Sequence, residues 1–401
     1  MSEEAGAQTV DPKEFIKRLA PDQLGMFEPL SGLMLLNASR AEMQAITKRQ
    51  WARQSTESDV AMLRTIDHET YHFAQAAASG YVFHRQRGLF MALENTIEPI
   101  PDFHLDPELL KLAEEWRKRI GDDPDYKLRY ERAMAILEHQ KKFTWMEARA
   151  AAGDNSVMGA LYPGFFAHFK ALTEAERIAN ADGLSILGLI EGSAVAHVHL
   201  LKYPIGYAPP RMQAELAPLP AVYHELYDLT AARMGDRSVE LLLPAVALAL
   251  RYAQPHNAYA PLLALLAESK PGEALERGRS LAGQLPEISG AGPLLGTAIE
   301  QRRLHDGYRV YDPILEKLAN LTWGFDSYDF LARPAAMESL NPFPVGIALT
   351  DGYVMGGMDR IEFAGRVTLM GLVLRSQSRR RAERESWRLT LDWARSVISG
   401  L

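Results

Sequence analysis

The chain has 401 residues, 47% apolar and 24% charged, with a formal net charge of −7, which is typical of globular domains and excludes a disordered, collagen-like or coiled-coil protein. It contains no cysteine, so disulfides, thiolate metal sites, iron–sulfur clusters and a cysteine nucleophile are excluded, and any metal must be bound by histidine, carboxylate or water. The mild acidity favours neither nucleic acid nor an anionic membrane as a partner.

Hydrophobic periodicity predicts a mainly α-helical fold. The helix predicted over residues 56–80 has Thr56 or Ser58 as its N-cap, and no strand is predicted just before it. Residues 345–374 are rich in glycine and β-branched side chains and predict a small β-hairpin around the glycine pair 356–357. In chain order, the predicted helices cover residues 12–20, 41–54, 56–80, 106–120, 126–152, 173–182, 184–201, 221–233, 239–252, 259–268, 272–284 and 375–398.

A proline-rich segment over residues 204–220 is predicted to be an irregular connection. It is the best candidate for a boundary between a helical region that contains the motif described below, residues 1–205, and a C-terminal helical region, residues 206–401. The two regions either form separate domains or belong to one domain. The sequence predicts no particular oligomeric state.

Two features of the sequence predict a soluble, cytoplasmic protein. Residues 1–5 are acidic and lack the basic and apolar regions of a secretion signal. The most apolar stretch, residues 239–250, contains Pro244 and is shorter than the roughly 20 residues that span a bilayer. We therefore expect neither a membrane nor a nucleic-acid partner.

The helix predicted over residues 56–80 contains the pattern His-Glu-x-x-His at His68, Glu69 and His72. On a helix the two histidines lie on one face and can bind one Zn²⁺ ion, while Glu69 can reach a zinc-bound water. The metal would lower the pKa of this water, Glu69 would take its proton as a general base, and the hydroxide would attack a polarised carbonyl. Position counting expects the pattern about 0.02 times by chance in such a chain.

The stretch from Thr65 to Gln75 resembles the motif helix of zincin-type zinc metallopeptidases, with Thr65 three residues before the first histidine, mostly uncharged flanks and no proline. The metzincin continuation is missing, because Gln75 and Ala78 stand where its glycine and histidine would be. Gluzincins take their third metal ligand from a glutamate on a later helix. The resemblance implies Glu191 for this role, because the Glu-Gly-x-Ala pattern that begins there resembles the gluzincin glutamate helix.

Glu191 is a lone acid in the apolar segment 184–201, where an unpaired carboxylate would be costly and a metal ion would compensate it. The alternative is a buried carboxylate paired with arginine or lysine. The resemblance implies that His68, His72 and Glu191 bind Zn²⁺ in a metallopeptidase-like hydrolase with Glu69 as its general base. The expected substrate is a peptide or a small amide or ester. The small substrate is included because no edge strand that could pair with a peptide is predicted just before the motif helix.

Further residues are candidates for supporting roles. His197 and His199 are expected to be core residues or neighbours of the ligands, because their spacing from Glu191 does not place them on its helix face. A hydrolase also needs a donor that stabilises the developing oxyanion. The candidates for this donor are Tyr203, Tyr207, Tyr223 and His224.

Two other functions fit the same residues. Glu69 and His72 form the Glu-x-x-His unit of helical di-iron proteins, but no second copy of this unit is present. A site of His68, His72 and Glu191 also has the two-histidine, one-carboxylate composition of mononuclear iron enzymes. Iron is therefore the alternative to zinc, with an oxidative non-haem iron enzyme as the alternative function. A helical binding or scaffold protein without catalysis is the third hypothesis.

Overall fold

The computed structural model describes residues 16, 19–20, 22–28, 32–82, 84–85, 118, 171–202, 209–294, 327–333 and 346–354. Most of these residues are helical, which confirms the predicted mainly α fold. The helices predicted over 106–120, 126–152 and 375–398 and the glycine pair 356–357 lie outside the described residues, apart from residue 118.

The strands are β1 (Gly25–Glu28), β2 (Leu33–Leu36), β3 (Ile347–Leu349) and β4 (Gly352–Val354). The helices are α1 (Arg40–Trp51), α2 (Glu57–Ala78), α3 (Ile186–Lys202), α4 (Pro209–Leu216), α5 (Ala221–Met234), α6 (Ser238–Ala249), α7 (Pro255–Ala267), α8 (Ala274–Gly283) and α9 (Ser327–Ala332).

The four described strands form one small sheet in the order β1-β2-β3-β4. β1 and β2 are antiparallel, β2 and β3 are parallel, and β3 and β4 form an antiparallel hairpin. This hairpin confirms the one predicted within residues 345–374, but its turn lies at residues 350–351 and not at the glycine pair.

Strands β1 and β2 were not predicted from the sequence, although no described strand comes directly before the motif helix, because α1 lies between β2 and α2. Each strand has four residues, and β2 is buried at every position, so the alternating pattern of a half-exposed strand is absent. A glycine lets β1 approach α2 closely, because a Cβ atom at Gly25 would lie 2.7 Å from Thr65 Cγ2. Thr65 precedes His68 by about one helical turn, so β1 lies beside the motif.

The motif helix α2 begins with a capping box. The Thr56 hydroxyl accepts a hydrogen bond from the backbone N–H of Asp59, and the Asp59 carboxylate accepts one from the backbone N–H of Thr56. A cap of this kind contributes about 1 kcal/mol. Asp59 also accepts hydrogen bonds of 2.6 and 2.7 Å from the Arg49 guanidinium, which ties the end of α1 to the start of α2.

Helices α3 and α5 pack closely because α3 carries two glycines one turn apart. A Cβ atom at Gly188 would overlap the Glu225 side chain, and one at Gly192 would lie 2.9 Å from Leu226 Cβ. Glu225 also accepts hydrogen bonds from the hydroxyl and backbone N–H of Ser185, whose Oγ accepts from the N–H of Gly188. The start of α3 is therefore held by α5, across the predicted domain boundary.

Prolines account for two differences between predicted and described helices. Helix α4 lies in the segment predicted to be irregular, and its two prolines occupy the first turn, where a missing N–H costs little. Helix α7 begins at Pro255, which stands in its first turn, before the predicted start at residue 259.

The helix predicted over 173–182 ends at residue 176, and α9 is too short for periodicity to predict. None of the described helices combines the length and apolarity needed to cross a membrane.

Candidate metal centre

Helices α2 and α3 bring two histidines and one glutamate together. His68 and His72 lie on one face of α2, with their Nε2 atoms 3.0 Å apart. Glu191, on α3, places Oε2 3.3 Å from His68 Nε2 and 3.2 Å from His72 Nε2. Within the described ranges this is the one group of three or more such side chains that is close enough to hold a metal ion. The three residues predicted as ligands are thus neighbours.

The spacing of the three donor atoms fits a metal ion. Zinc bonds to histidine nitrogen and carboxylate oxygen are about 2.0–2.2 Å long, so two ligands of a tetrahedral site lie about 3.3 Å apart. The observed separations of 3.0, 3.2 and 3.3 Å are close to this value. Imidazole and carboxylate also bind iron. The group could therefore hold a metal ion, but its composition does not indicate which metal.

Histidine is the charge partner of Glu191, and not the arginine or lysine of the alternative interpretation. Burial would raise the pKa of Glu191, but the charge of His72 and hydrogen bonds from both His68 and His72 hold that pKa well below its usual range. Burial would likewise lower the pKa of His72, but the charge and hydrogen bond of Glu191 raise it to about 9. Without a metal, the site at neutral pH therefore contains a carboxylate beside a protonated imidazole, and metal binding would release that proton.

Glu69 lies beside the ligand group and is attached to the sheet. Its side chain is buried, and its Oε2 atom accepts a hydrogen bond of 2.6 Å from the backbone N–H of Phe27 in β1. Burial lowers the pKa of His72, whereas the negative charges of Glu191 and Glu69 both raise it. Glu69 is therefore close to the candidate ligands without being one of them.

Tyr223 is the predicted oxyanion donor that lies at this site. It projects from α5, and its ring centroid is 6.2 Å from that of His68. Burial, followed by the charges of Glu191 and Glu69, raises the pKa of its phenol, which stays protonated and able to donate a hydrogen bond at neutral pH. The approach of α5 that places it here depends on Gly192, since a Cβ atom there would lie only 2.9 Å from Leu226 Cβ on α5.

The other three candidate oxyanion donors are His224, Tyr203 and Tyr207. The Nδ1 atom of His224 lies 2.7 Å from Asp228 Oδ2, one turn further along α5, and this pair is partly exposed. Tyr203 and Tyr207 lie outside the described residues. Of the two candidates that the structure describes, Tyr223 is the one whose ring lies beside His68, whereas His224 pairs with Asp228.

The two histidines that follow Glu191 lie outside the ligand group. His197 is buried, and its ring stacks on that of Tyr71 with the centroids 4.6 Å apart. Burial, with a smaller effect from the charge of His68, lowers the pKa of His197 to about 3, so the ring is neutral. His199 Nδ1 lies 3.4 Å from Glu215 Oε2, a residue of α4.

Gln75 also belongs to the site, although the sequence did not indicate it. Its side chain is buried, and its Oε1 atom lies 2.8 Å from His72 Nδ1. Its Nε2 atom donates hydrogen bonds to Ser193 Oγ at 2.8 Å and to the Ile190 carbonyl at 3.2 Å. The sequence feature that could have indicated this contact is the position of Gln75 three residues after His72, which places both side chains on the same helix face.

Comparison of the chain with known proteins gave no match to a family model, to a curated protein or to a solved structure. The resemblance to zincins therefore has no support from a related sequence or fold. The assignment of a candidate metal centre depends on the geometry of His68, His72 and Glu191.

Proposed function

We propose that this protein is a zinc-dependent hydrolase of peptide or other amide bonds. The position of Glu69 is the observation that carries the proposal, because a carboxylate held by Phe27 lies next to the ligand group without joining it. Structural zinc sites are usually closed by four protein ligands, whereas catalytic sites keep three and an open position. The described residues offer three: His68, His72 and Glu191.

The side chains around the site have distinct roles in this proposal. A bound zinc ion would polarise a carbonyl group and lower the pKa of water. Glu69 uses Oε1 to accept a proton from the attacking water, because the Phe27 N–H occupies Oε2, and it then passes this proton to the leaving amine. The Tyr223 hydroxyl donates a hydrogen bond to the oxyanion that develops on the former carbonyl.

Among the described strands, β1 is at the edge of the sheet, and this edge supports an extended substrate. The register with β2 turns the backbone groups of residues 24, 26 and 28 toward β2, so those of Gly25 and Phe27 face the opposite edge. That edge faces Glu69, because the Phe27 N–H bonds to it. A peptide could add to such an edge through the backbone of Gly25 and the carbonyl of Phe27. A small amide or ester would use the same base without this edge.

Metal analysis of the purified full chain tests the proposal, with His68→Ala and Glu191→Gln beside the wild type. We expect about one zinc ion per chain in the wild type and loss of zinc in both variants. Glu69→Gln is the matched control, because it should keep the metal and lose hydrolysis of a fluorogenic peptide library. Iron with oxygen consumption that survives Glu69→Gln would favour the oxidative alternative. No metal in any sample after reconstitution would refute both enzymes and leave the scaffold hypothesis.

A further inference from the structure

A buried glutamine connects the two helices that carry the candidate ligands. Gln75 is 1% exposed and belongs to α2, one turn beyond His72. Its amide contacts His72 on its own helix, and it contacts Ile190 and Ser193 on α3. These two residues of α3 are close in sequence to Glu191. One side chain therefore touches a ligand of one helix and the turn that carries the ligand of the other.

The hydrogen-bond partners determine which way the Gln75 amide points. The Ile190 carbonyl can only accept, so the atom of Gln75 that lies 3.2 Å from it must be the amide nitrogen. Ser193 is consistent with this orientation, because its own hydroxyl donates to the Ile190 carbonyl and its lone pairs remain to accept from Gln75. The amide oxygen of Gln75 must then face His72.

This orientation determines which nitrogen of His72 carries a hydrogen. The Gln75 amide oxygen can only accept, so His72 Nδ1, at 2.8 Å, must be the donor. In the neutral ring the lone pair is then on Nε2, the atom that lies 3.0 Å from His68 Nε2 and 3.2 Å from Glu191 Oε2. The reversed amide would set two carbonyl oxygens against each other at Ile190.

We infer that Gln75 is a positioning residue of the metal centre, which holds His72 with its Nε2 lone pair toward the ion and holds the turn of α3 that carries Glu191. It touches neither the metal nor the substrate. The inference rests on the proposed function, because it needs a metal at these ligands. Groups that orient a metal-bound histidine in this way typically change metal affinity by about 10–100-fold.

Three variants of the full chain test the inference. Gln75→Met keeps the length of the side chain without its hydrogen bonds, and we expect zinc affinity, measured by chelator competition, to fall by about 10–100-fold. Gln75→Glu keeps an acceptor for the His72 N–H and should recover part of that loss. The matched control is Gln213→Met, on the exposed surface of α4, which should bind zinc like the wild type. Circular dichroism establishes that each variant is folded. If Gln75→Met is unfolded, Gln75→Asn replaces it, because its amide is too short to reach both helices.

A second measurement on the metal-free protein separates this inference from the proposed function. With ¹⁵N-labelled histidine, we expect a slowly exchanging Nδ1–H signal that is absent from His72→Ala, because the Gln75 oxygen protects this N–H whether or not Nε2 also carries a hydrogen. The signal should persist in Gln75→Glu and be lost in Gln75→Met. Unchanged zinc affinity in folded Gln75→Met, or an unchanged Nδ1–H signal, would overturn the role of Gln75. A wild type that binds no metal but shows the expected Nδ1–H pattern would instead refute the proposed function.

Discussion

Substitution of Gly192 by alanine tests the packing that assembles the site. Gly192 follows Glu191 on α3 and faces α5, the helix that carries Tyr223. The new Cβ atom would lie 2.9 Å from Leu226 Cβ, an atom fixed to the backbone of α5 and unable to rotate away. Ordinary carbon contacts are about 3.5–4.0 Å, so the two helices would have to separate locally by about 0.6–1 Å.

The size of the effect follows from two opposing contributions. Alanine is favoured over glycine in a helix by up to about 1 kcal/mol. Overpacking of a closely packed interface costs about 1–3 kcal/mol. Gly283→Ala, at the end of α8, provides the matched control, because a Cβ atom there has no neighbour within 4 Å. We therefore expect Gly192→Ala to be about 1–3 kcal/mol less stable than Gly283→Ala.

Urea unfolding of the metal-free variants at one pH measures this difference, and zinc affinity reports its effect on the site. Gly192→Ala should also bind zinc more weakly, because the separation of α3 from α5 displaces the turn that carries Glu191. If Gly192→Ala is as stable as Gly283→Ala and binds zinc as the wild type does, the close contact of α3 with α5 is refuted.

Three further predictions follow. Glu69→Gln should lower kcat for hydrolysis by about 10²–10⁴-fold at unchanged zinc content, and a smaller change would argue against a general base. The His72–Glu191 pair should stabilise the metal-free protein fully between about pH 4.5 and 6.5, the ordinary values for the two groups, and this stabilisation should be lost as the pH rises through about 9. The thermal stability advantage over His72→Ala, measured by calorimetry, should therefore shrink from pH 6 to pH 10. Arg85→Met should destabilise the fold by about 3–5 kcal/mol in urea unfolding, because buried Glu176 loses two hydrogen bonds. Adding Glu176→Leu should recover much of the lost stability, and a double variant as unstable as Arg85→Met would contradict this account.

The sequence predicted the part of the site that depends on local periodicity. A spacing of four residues on a helix is enough to place His68 and His72 on one face. Glu191 was predicted from the resemblance to gluzincins together with its place as a lone carboxylate in an apolar segment, and the structure brings it to the two histidines. The predicted role of Glu69 as a base stays a prediction, but its position beside the ligands is compatible with that role.

The remaining parts of the site depend on contacts between distant segments. The four residues of fully buried β2 have no alternating pattern, so the sheet that holds Glu69 left no periodic signal. Tyr223 was one of four candidates, and only the packing of α5 on α3 distinguishes it from His224 on the same helix. Gln75 looks like an ordinary polar residue of a helix until α3 is placed against it.

The parallel pairing of β2 with β3 sets an order for assembly during synthesis. Arg40, just after β2, donates a hydrogen bond to the Tyr353 carbonyl of β4, a residue 313 positions later. Before that part of the chain leaves the ribosome, β1 and β2 form only a two-stranded hairpin, which is marginally stable alone. His68, His72 and Glu191 emerge much earlier. Under the proposed function, a nascent chain would therefore be able to bind a metal ion before Phe27 is held firmly enough to orient Glu69, so metal binding would precede the completion of the proposed catalytic site.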